Sequence, residues 1–256
     1  MIVAGNTHVG NIRTNNEDAV FAAKIQDNIA LLMVADGMGG HNAGEVASHE
    51  TIEVISNEIT GLSSETLQAD APHIIRRAIQ KANMKVHALS KKNKTMRGMG
   101  TTVAMALLFA EGGFIGHMGD SRAYLYSQGA IVRLTKDHSY VQELLDLGKI
   151  TEAEAQQHPR KNVITRAIGG GYEADADVTP FVWQKGDLIL LCSDGLTNCV
   201  ENSEMEKIIT DHLQFDRDIS NALCEALINA ALYHGGTDNI SVAVAWNTSF
   251  EGGHGR

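Results

Sequence analysis

The sequence contains little cysteine, little proline and a deficit of positive charge. Its three cysteines, Cys192, Cys199 and Cys224, are odd in number and are not spaced as zinc ligands, which predicts reduced, mostly buried thiols. With only three prolines and no segment of linker composition, a single folded unit is favoured over two. Lysine and arginine total 21 against 31 acidic residues, giving a net charge of -10. This balance argues against nucleic-acid binding and against adhesion to anionic membranes.

Long apolar runs are also missing. No stretch approaches the roughly 18 residues that a membrane-spanning helix needs. Residues 1–13 have neither the basic start nor the apolar core of a signal peptide. Together these absences predict a cytoplasmic protein.

The hydrophobic residues, 43% of 256, are numerous enough for one substantial core. Apolar runs bounded by turn residues predict strands at 29–35, 101–109, 114–118, 122–126, 130–134, 188–192 and 240–246. Helical periodicity and capping patterns predict helices at 44–59, from a cap at Asp70 to Leu89, after Thr151–Glu154, after Ser203–Glu206 and after Asp218. This mixture predicts an α+β domain over residues 1–248, in which helices cover antiparallel sheets, and a disordered tail at 249–256.

Four aspartates share one local pattern. Asp36, Asp120 and Asp194 each follow an apolar strand, and Asp238 directly precedes the last strand. Strand ends hold side chains rigidly in a cleft, and clustered carboxylates repel one another unless a cation neutralises them. Oxygen ligands of this kind suit magnesium or manganese. The alternative is that Asp-Gly and Asp-Asn are ordinary turn dipeptides, and spacing alone leaves this open.

Six motifs occur in order along the chain: Arg13 with Asn16-Glu17-Asp18, Val34-Ala35-Asp36-Gly37-Met38-Gly39-Gly40-His41, Gly98-Met99-Gly100-Thr101-Thr102, Gly119-Asp120-Ser121-Arg122, Ser193-Asp194-Gly195-Leu196 and Thr237-Asp238-Asn239-Ile240. From Arg13 to about Trp246 the chain therefore resembles the metal-dependent protein phosphatases, the type 2C serine/threonine phosphatases, and in particular their compact bacterial members. The resemblance implies a four-layer αββα sandwich with two central antiparallel sheets.

The resemblance also implies two Mn²⁺ or Mg²⁺ ions and a third, weaker one. It assigns Asp36 to both of the first two ions, the Gly37 carbonyl to one of them, and Asp194 and Asp238 to the other. Asp18 would act through metal-bound water, and Asp120 would hold the third ion together with Asp194.

The remaining implied roles concern the substrate. Arg13 matches the residue that clamps the substrate phosphate; a salt bridge with Glu17 or Asp18 is the alternative. Many relatives have a histidine after the Asp-Gly pair as general acid, whereas this chain has Met38 there. His41 is the nearest substitute, and metal-bound water is the alternative acid. Residues 137–171 match a flap beside the site.

The predicted activity is hydrolysis of phosphoserine and phosphothreonine in proteins by a metal-bridging hydroxide. The protein would act as a monomer and oppose a serine/threonine kinase in bacterial signalling. Hydrolysis of a small phosphate metabolite and an inactive, phosphoprotein-binding relative are the rival hypotheses. A cysteine-based phosphatase is excluded, because no cysteine is followed six residues later by arginine.

Overall fold

A computed structural model describes residues 1–39, 43–92, 94–215 and 219–248. Eleven strands lie in these ranges: β1 (Ile2–His8), β2 (Asp18–Gln26), β3 (Ile29–Met38), β4 (Gly100–Thr101), β5 (Val103–Leu108), β6 (Gly112–Met118), β7 (Arg122–Ser127), β8 (Ala130–Arg133), β9 (Asp177–Val182), β10 (Leu188–Cys192) and β11 (Ile240–Trp246). The α-helices of these ranges are α1 (Ala43–Thr60), α2 (Ser64–Lys92), α3 (Tyr140–Asp146), α4 (Glu152–Gln156), α5 (Asp194–Thr197), α6 (Asn202–Phe215) and α7 (Ile219–Tyr233). None of them combines the length and the apolarity needed to cross a bilayer.

The strands form two antiparallel sheets. The first sheet has the order β1-β11-β10-β7-β8, and the second has the order β2-β3-β5-β6-β9, with β4 paired to β3. Hairpins join sequence neighbours such as β2 and β3, whereas β1 pairs with β11 from the far end of the chain. Each sheet thus combines local pairs with strands from distant segments.

The alternation of side chains along β3 explains the layers. Leu31 and Met33 belong to the core that packs under α1 and α2. Leu32 and Val34 point the other way, into a core shared with strands of the first sheet. Because both faces of β3 are buried, its sequence is a continuous apolar run rather than an alternating one.

A third core closes the other side of the molecule. There Leu188, Leu190 and Val242 of the first sheet pack with Met205 of α6 and Leu227 of α7. The order of layers is helices, sheet, sheet, helices. The predicted αββα sandwich is therefore confirmed.

Several predicted elements differ in detail. The helix expected from Asp70 already begins at Ser64, and Asp70 forms a kink within it, with φ -144° and ψ 32°. The capping box at Thr151 is confirmed. The one predicted at Ser203 is wrong, because the Glu206 carboxylate accepts a hydrogen bond from the Ile131 amide instead. The predicted cap at Asp218 and the tail at 249–256 lie outside the described residues.

Candidate active site

The alternation along β3 carries Asp36 to the edge of the space between the sheets. Asp36 lies on the same face as Leu32 and Val34, two residues beyond the last of them. Asp18, at the start of β2, is its partner in the strand register. The hairpin therefore brings two carboxyl groups side by side at one end of the sandwich.

Two threonines hold the backbone of Asp36. The Asp36 amide donates to Thr102 Oγ1 at 2.9 Å, and its carbonyl accepts from the Thr102 amide at 2.9 Å and from Thr101 Oγ1 at 2.8 Å. Thr102 Oγ1 also lies 2.6 Å from Ser121 Oγ, next to Asp120. These contacts divide the predicted strand 101–109 into β4 and β5, and they link Asp36 to the Asp120 turn.

Gly37 occupies a position that has no room for a side chain. A Cβ there would collide with the carbonyl oxygens of Gly44 and Glu17. The Gly37 amide donates to the Glu17 carbonyl at 3.1 Å. The close approach of three backbone segments explains why glycine follows Asp36.

The other predicted carboxylates converge on the same place. Asp194 begins α5 directly after β10, and its Oδ2 accepts from Asn198 Nδ2 at 3.0 Å. A cavity of about 290 Å³ is bordered by residues of both sheets and of the flap: Arg13, Glu17, Asp36, Gly37, Met38, Gly39, Asp120, Asn162, Ile164, Asp194, Asp238 and Asn239. The structure thus brings together the predicted ligands Asp36, Gly37, Asp120, Asp194 and Asp238. Asp18 lies behind them, 3% exposed.

Burial and mutual repulsion raise the pKa values of this cluster. Burial first, and then the charge of Asp18, raises the pKa of Asp36 well above its ordinary value. The pKa of Asp18 rises to about 7, mainly through burial and against the hydrogen bond from Ser193. Burial and the Asp194 charge raise the pKa of Asp120 to about 7. Without a cation the site therefore favours protonated carboxyl groups.

Two buried oxygens of the cluster have no partner. Asp18 Oδ1 and Asp120 Oδ1 are buried and make no hydrogen bond to any residue that the structure describes. An unpaired buried carboxylate oxygen is unfavourable, and an oxygen-binding cation removes both the lost hydration and the repulsion. The donor set, entirely oxygen, fits magnesium or manganese.

Arg13 lies at the open side of this cavity. Its Nη2 donates to Asp238 Oδ2 at 2.9 Å, and its side chain is 53% exposed. The alternative pairing with Glu17 or Asp18 is not the one formed. The arginine is thus held beside the carboxylate cluster by one of the predicted ligands.

Asn239 organises the loop that carries Arg13. Its Nδ2 donates to the carbonyls of Val9 and Asn15, both at 2.9 Å, and its Oδ1 accepts from the Glu17 amide at 2.8 Å. This role of Asn239 was not predicted from the sequence. The sequence does contain a clue, because Asn239 directly precedes a buried strand. A side-chain amide at such a position can form hydrogen bonds with backbone groups of a neighbouring loop.

Replacing Asn239 with alanine is expected to leave three backbone groups of residues 9–17 without partners. We expect a loss of roughly 2–4 kcal/mol in unfolding free energy, because each unsatisfied buried group costs about 1–3 kcal/mol and water relieves part of it. Urea denaturation followed by circular dichroism measures this change. Asn57→Ala, on the exposed face of α1, is the matched control. A loss for Asn239→Ala no larger than that of the control would contradict the assigned role.

The flap contributes two residues to the cavity, Asn162 and Ile164. His138 connects the flap to the Asp120 turn, since its amide donates to the Gly119 carbonyl at 2.8 Å and its carbonyl accepts from the Thr165 amide at 2.8 Å. The position of the flap is therefore tied to the loop that presents Asp120.

A second group of potential ligands lies nearby. Ligand atoms of His117, His138 and Asp177 all lie within 4.8 Å of one another. However, His138 Nδ1 accepts from the Gly119 amide at 3.1 Å, so its proton is on Nε2, which lies 3.2 Å from Asp177 Oδ2. A protonated Nε2 cannot bind a metal ion, and the pair is a hydrogen bond. Burial lowers the pKa of His117 to about 4, so that this imidazole is neutral.

His41, the predicted general acid, lies outside the described residues. Cys192 and Cys224 are buried and Cys199 is partly buried, and all three are free, as predicted.

Comparison with known proteins identifies the family of this chain. Residues 4–232 match the family model described as Protein phosphatase 2C. The serine/threonine phosphatase stp of Listeria monocytogenes is 39% identical over 238 residues, which cover 92% of both chains. The serine/threonine phosphatase of S. agalactiae superposes with a TM-score of 0.87 at 31% identity, covering 96% of this chain and 98% of that structure. The catalytic domain of PstP, solved in complex with two manganese ions, gives a TM-score of 0.80 at 34% identity, covering 95% and 96%. This chain therefore belongs to the protein phosphatase 2C family.

Proposed function

We propose that this protein is a metal-dependent serine/threonine phosphatase that hydrolyses phosphoserine and phosphothreonine in proteins. The observation that carries the proposal is the convergence of Asp36, Asp120, Asp194 and Asp238 on one cavity beside Arg13. The serine/threonine phosphatases named above, similar over more than nine-tenths of the chain, support it.

The carboxylate cluster is proposed to hold two Mn²⁺ or Mg²⁺ ions. Asp36 and the Gly37 carbonyl would bind one, and Asp36, Asp194 and Asp238 the other. Asp120 would contribute to a weaker third ion, and Asp18 would accept hydrogen bonds from water behind the ligands. When bound, the ions supply Lewis-acid activation of water for direct attack on phosphorus.

Arg13 is proposed to bind and orient the substrate phosphate. Apart from the Nη2 bond to Asp238, Arg13 makes no hydrogen bond within the described residues, so its remaining donors can reach phosphate oxygens. The hydrogen bond to Asp238 and the charge of that carboxylate hold the guanidinium at the entrance of the cavity. The leaving serine or threonine oxygen needs a proton, and His41 remains the candidate donor, with water as the alternative.

The wider assignments follow from the same arrangement. We propose a single catalytic domain over residues 1–248, because Arg13 and Asp238 come from opposite ends of the sequence and meet at one cavity. A monomer suffices, since every candidate site residue belongs to one chain. A serine/threonine kinase would supply the substrates, in the cytoplasm, where free thiols such as Cys199 persist.

Phosphate release from a phosphothreonine peptide tests this function. We expect turnover that requires added Mn²⁺ and stops with excess chelator, because the ligands are all oxygen atoms. A phosphotyrosine peptide and a small phosphate ester serve as comparison substrates. Folded protein that releases no phosphate from any of them with any divalent ion would overturn the enzyme assignment. Turnover of the small ester alone would favour a metabolite phosphatase instead.

A further inference from the structure

A second, larger cavity adjoins the catalytic one. It encloses about 830 Å³ and lies between the β7-β8 hairpin, the flap helices α3 and α4, and the segment from α5 to the start of α6. Asp120, Asn162 and Asp194 line both cavities, so the two are continuous. The volume falls within the range of about 300–1,000 Å³ that is usual for ligand sites.

Two arginines and one aspartate lie together in the lining of this second cavity. Arg122 donates to Asp137 through Nε at 3.1 Å and through Nη2 at 2.8 Å. Arg133 donates to the same carboxylate through its Nη2. One aspartate thus serves two guanidinium groups, and Asp137 is only 10% exposed.

Polar atoms at the same place have no partner. Arg133 Nε and Thr197 Oγ1 are buried and find no hydrogen-bond partner among the described residues, and both residues line the second cavity. At the rim, Lys161 has no ion-pair partner in the described part of the chain. Burial and the neighbouring Arg122 charge lower the pKa of Arg133. The other acidic residues that line the cavity are Glu152, Glu201 and the predicted metal ligands Asp120 and Asp194, whose charges bound ions would neutralise. The ion-paired group of Arg122, Arg133 and Asp137 therefore carries one surplus positive charge and lacks a hydrogen-bond acceptor.

We infer that this cavity binds the substrate polypeptide next to its phosphorylated residue, and that an acidic side chain of the substrate binds to Arg133 and Arg122. The inference rests on the proposed phosphatase function. A polypeptide whose phosphate lies at Arg13 and Asp36 has a direct route into the second cavity past Asn162. An aspartate, a glutamate or a second phosphorylated side chain supplies the missing acceptor.

Paired peptides test the inference. Phosphothreonine peptides carry a single glutamate at successive positions on either side of the phosphothreonine, each matched by a peptide with glutamine there. The measured quantity is the ratio of kcat/KM for the glutamate and glutamine members of each pair. We expect wild-type protein to prefer glutamate about tenfold at one or two neighbouring positions, the size of one charge-assisted contact. In Arg133→Met this ratio falls to about one, and in Arg133→Lys much of it remains.

The ratio is taken within one variant, so a general loss of activity does not affect it. Arg77→Met, at an exposed position of α2, removes the same charge elsewhere and keeps the wild-type ratio. Equal use of both peptides by the wild type, or an unchanged preference in Arg133→Met, overturns the inference. A third result also overturns it: inorganic phosphate inhibits the enzyme in a way that depends on Arg133, while the glutamate-to-glutamine ratio stays at one. The cavity would then bind a free anion and not the substrate polypeptide. No turnover of any peptide by wild-type protein is a failure of the proposed function, which the Mn²⁺ assay detects separately.

Discussion

Asp36→Asn is expected to lower the Mn²⁺-dependent kcat for a phosphothreonine peptide by about a thousandfold. Asp36 is the predicted ligand of both ions, and its backbone is fixed by Thr101 and Thr102, so no neighbouring carboxylate can replace it. A thousandfold loss corresponds to about 4 kcal/mol of transition-state stabilisation, which is within what bound metal ions supply. Release of inorganic phosphate at saturating Mn²⁺ measures the effect.

Asp27→Asn is the matched control. Asp27 lies in the turn at the opposite end of the same β2-β3 hairpin and is exposed. The Asp27→Asn substitution makes the same chemical change far from the cavity. It should leave kcat within about twofold of wild type, as most surface substitutions do. Activity of Asp36→Asn close to that of Asp27→Asn would rule out Asp36 as a shared ligand.

The metal-free protein is expected to lose stability as the pH rises from 4 to 8. Asp18 and Asp120 have ordinary pKa values of 3.8, and in the folded chain these rise to about 7. Between these values the folded state binds more protons than the unfolded state, so the unfolding free energy falls as the pH rises and the stabilisation is lost above pH 7. Three pKa units correspond to roughly 4 kcal/mol for one such carboxyl. His117, with its pKa lowered to about 4, acts in the opposite direction below pH 6.5 and offsets part of the change.

Urea unfolding in excess chelator at pH 5 and pH 8 measures this dependence. Added Mn²⁺ should restore the stability at pH 8, because the cation neutralises the carboxylates and binds only the folded protein. Asp18→Asn removes one buried ionisable group and should flatten the pH dependence without metal. The unfolding free energy in chelator could instead be equal at both pH values, or higher at pH 8. Either result would show that the carboxyl groups are not forced together.

The strands that carry the site were predictable because they are buried on both faces. The runs before Asp36 and Asp194 are continuous and apolar, and they end where the carboxylate begins. The strands β1, β2 and β9 were not predicted. They are only partly buried, and β9 contains Pro180 and a mixture of polar residues that has no clear period.

Contacts that depend on tertiary structure could not be predicted from local sequence patterns. Glu206 satisfies the spacing of a capping box, yet its carboxylate binds the Ile131 amide of β8 once α6 packs against the first sheet. The role of Asn239 is similar, because the loop it holds is more than 220 residues away in sequence. The pairing of Arg13 with Asp238 rather than Glu17 likewise follows from the meeting of β1 and β11.

The pairing of β1 with β11 also limits how early the first sheet can fold during synthesis of the chain. Ile2 lies opposite Trp246 and His8 opposite Ile240, so β1 can pair in its sheet only after β11 has been synthesised. Closing so long a loop slows folding, since the entropy of closure precedes the gain from contacts. Asp238 and the Asn239 contacts reach the Arg13 loop only at that late stage. A nascent chain in which β11 has not yet been synthesised therefore lacks the pairing of Arg13 with Asp238.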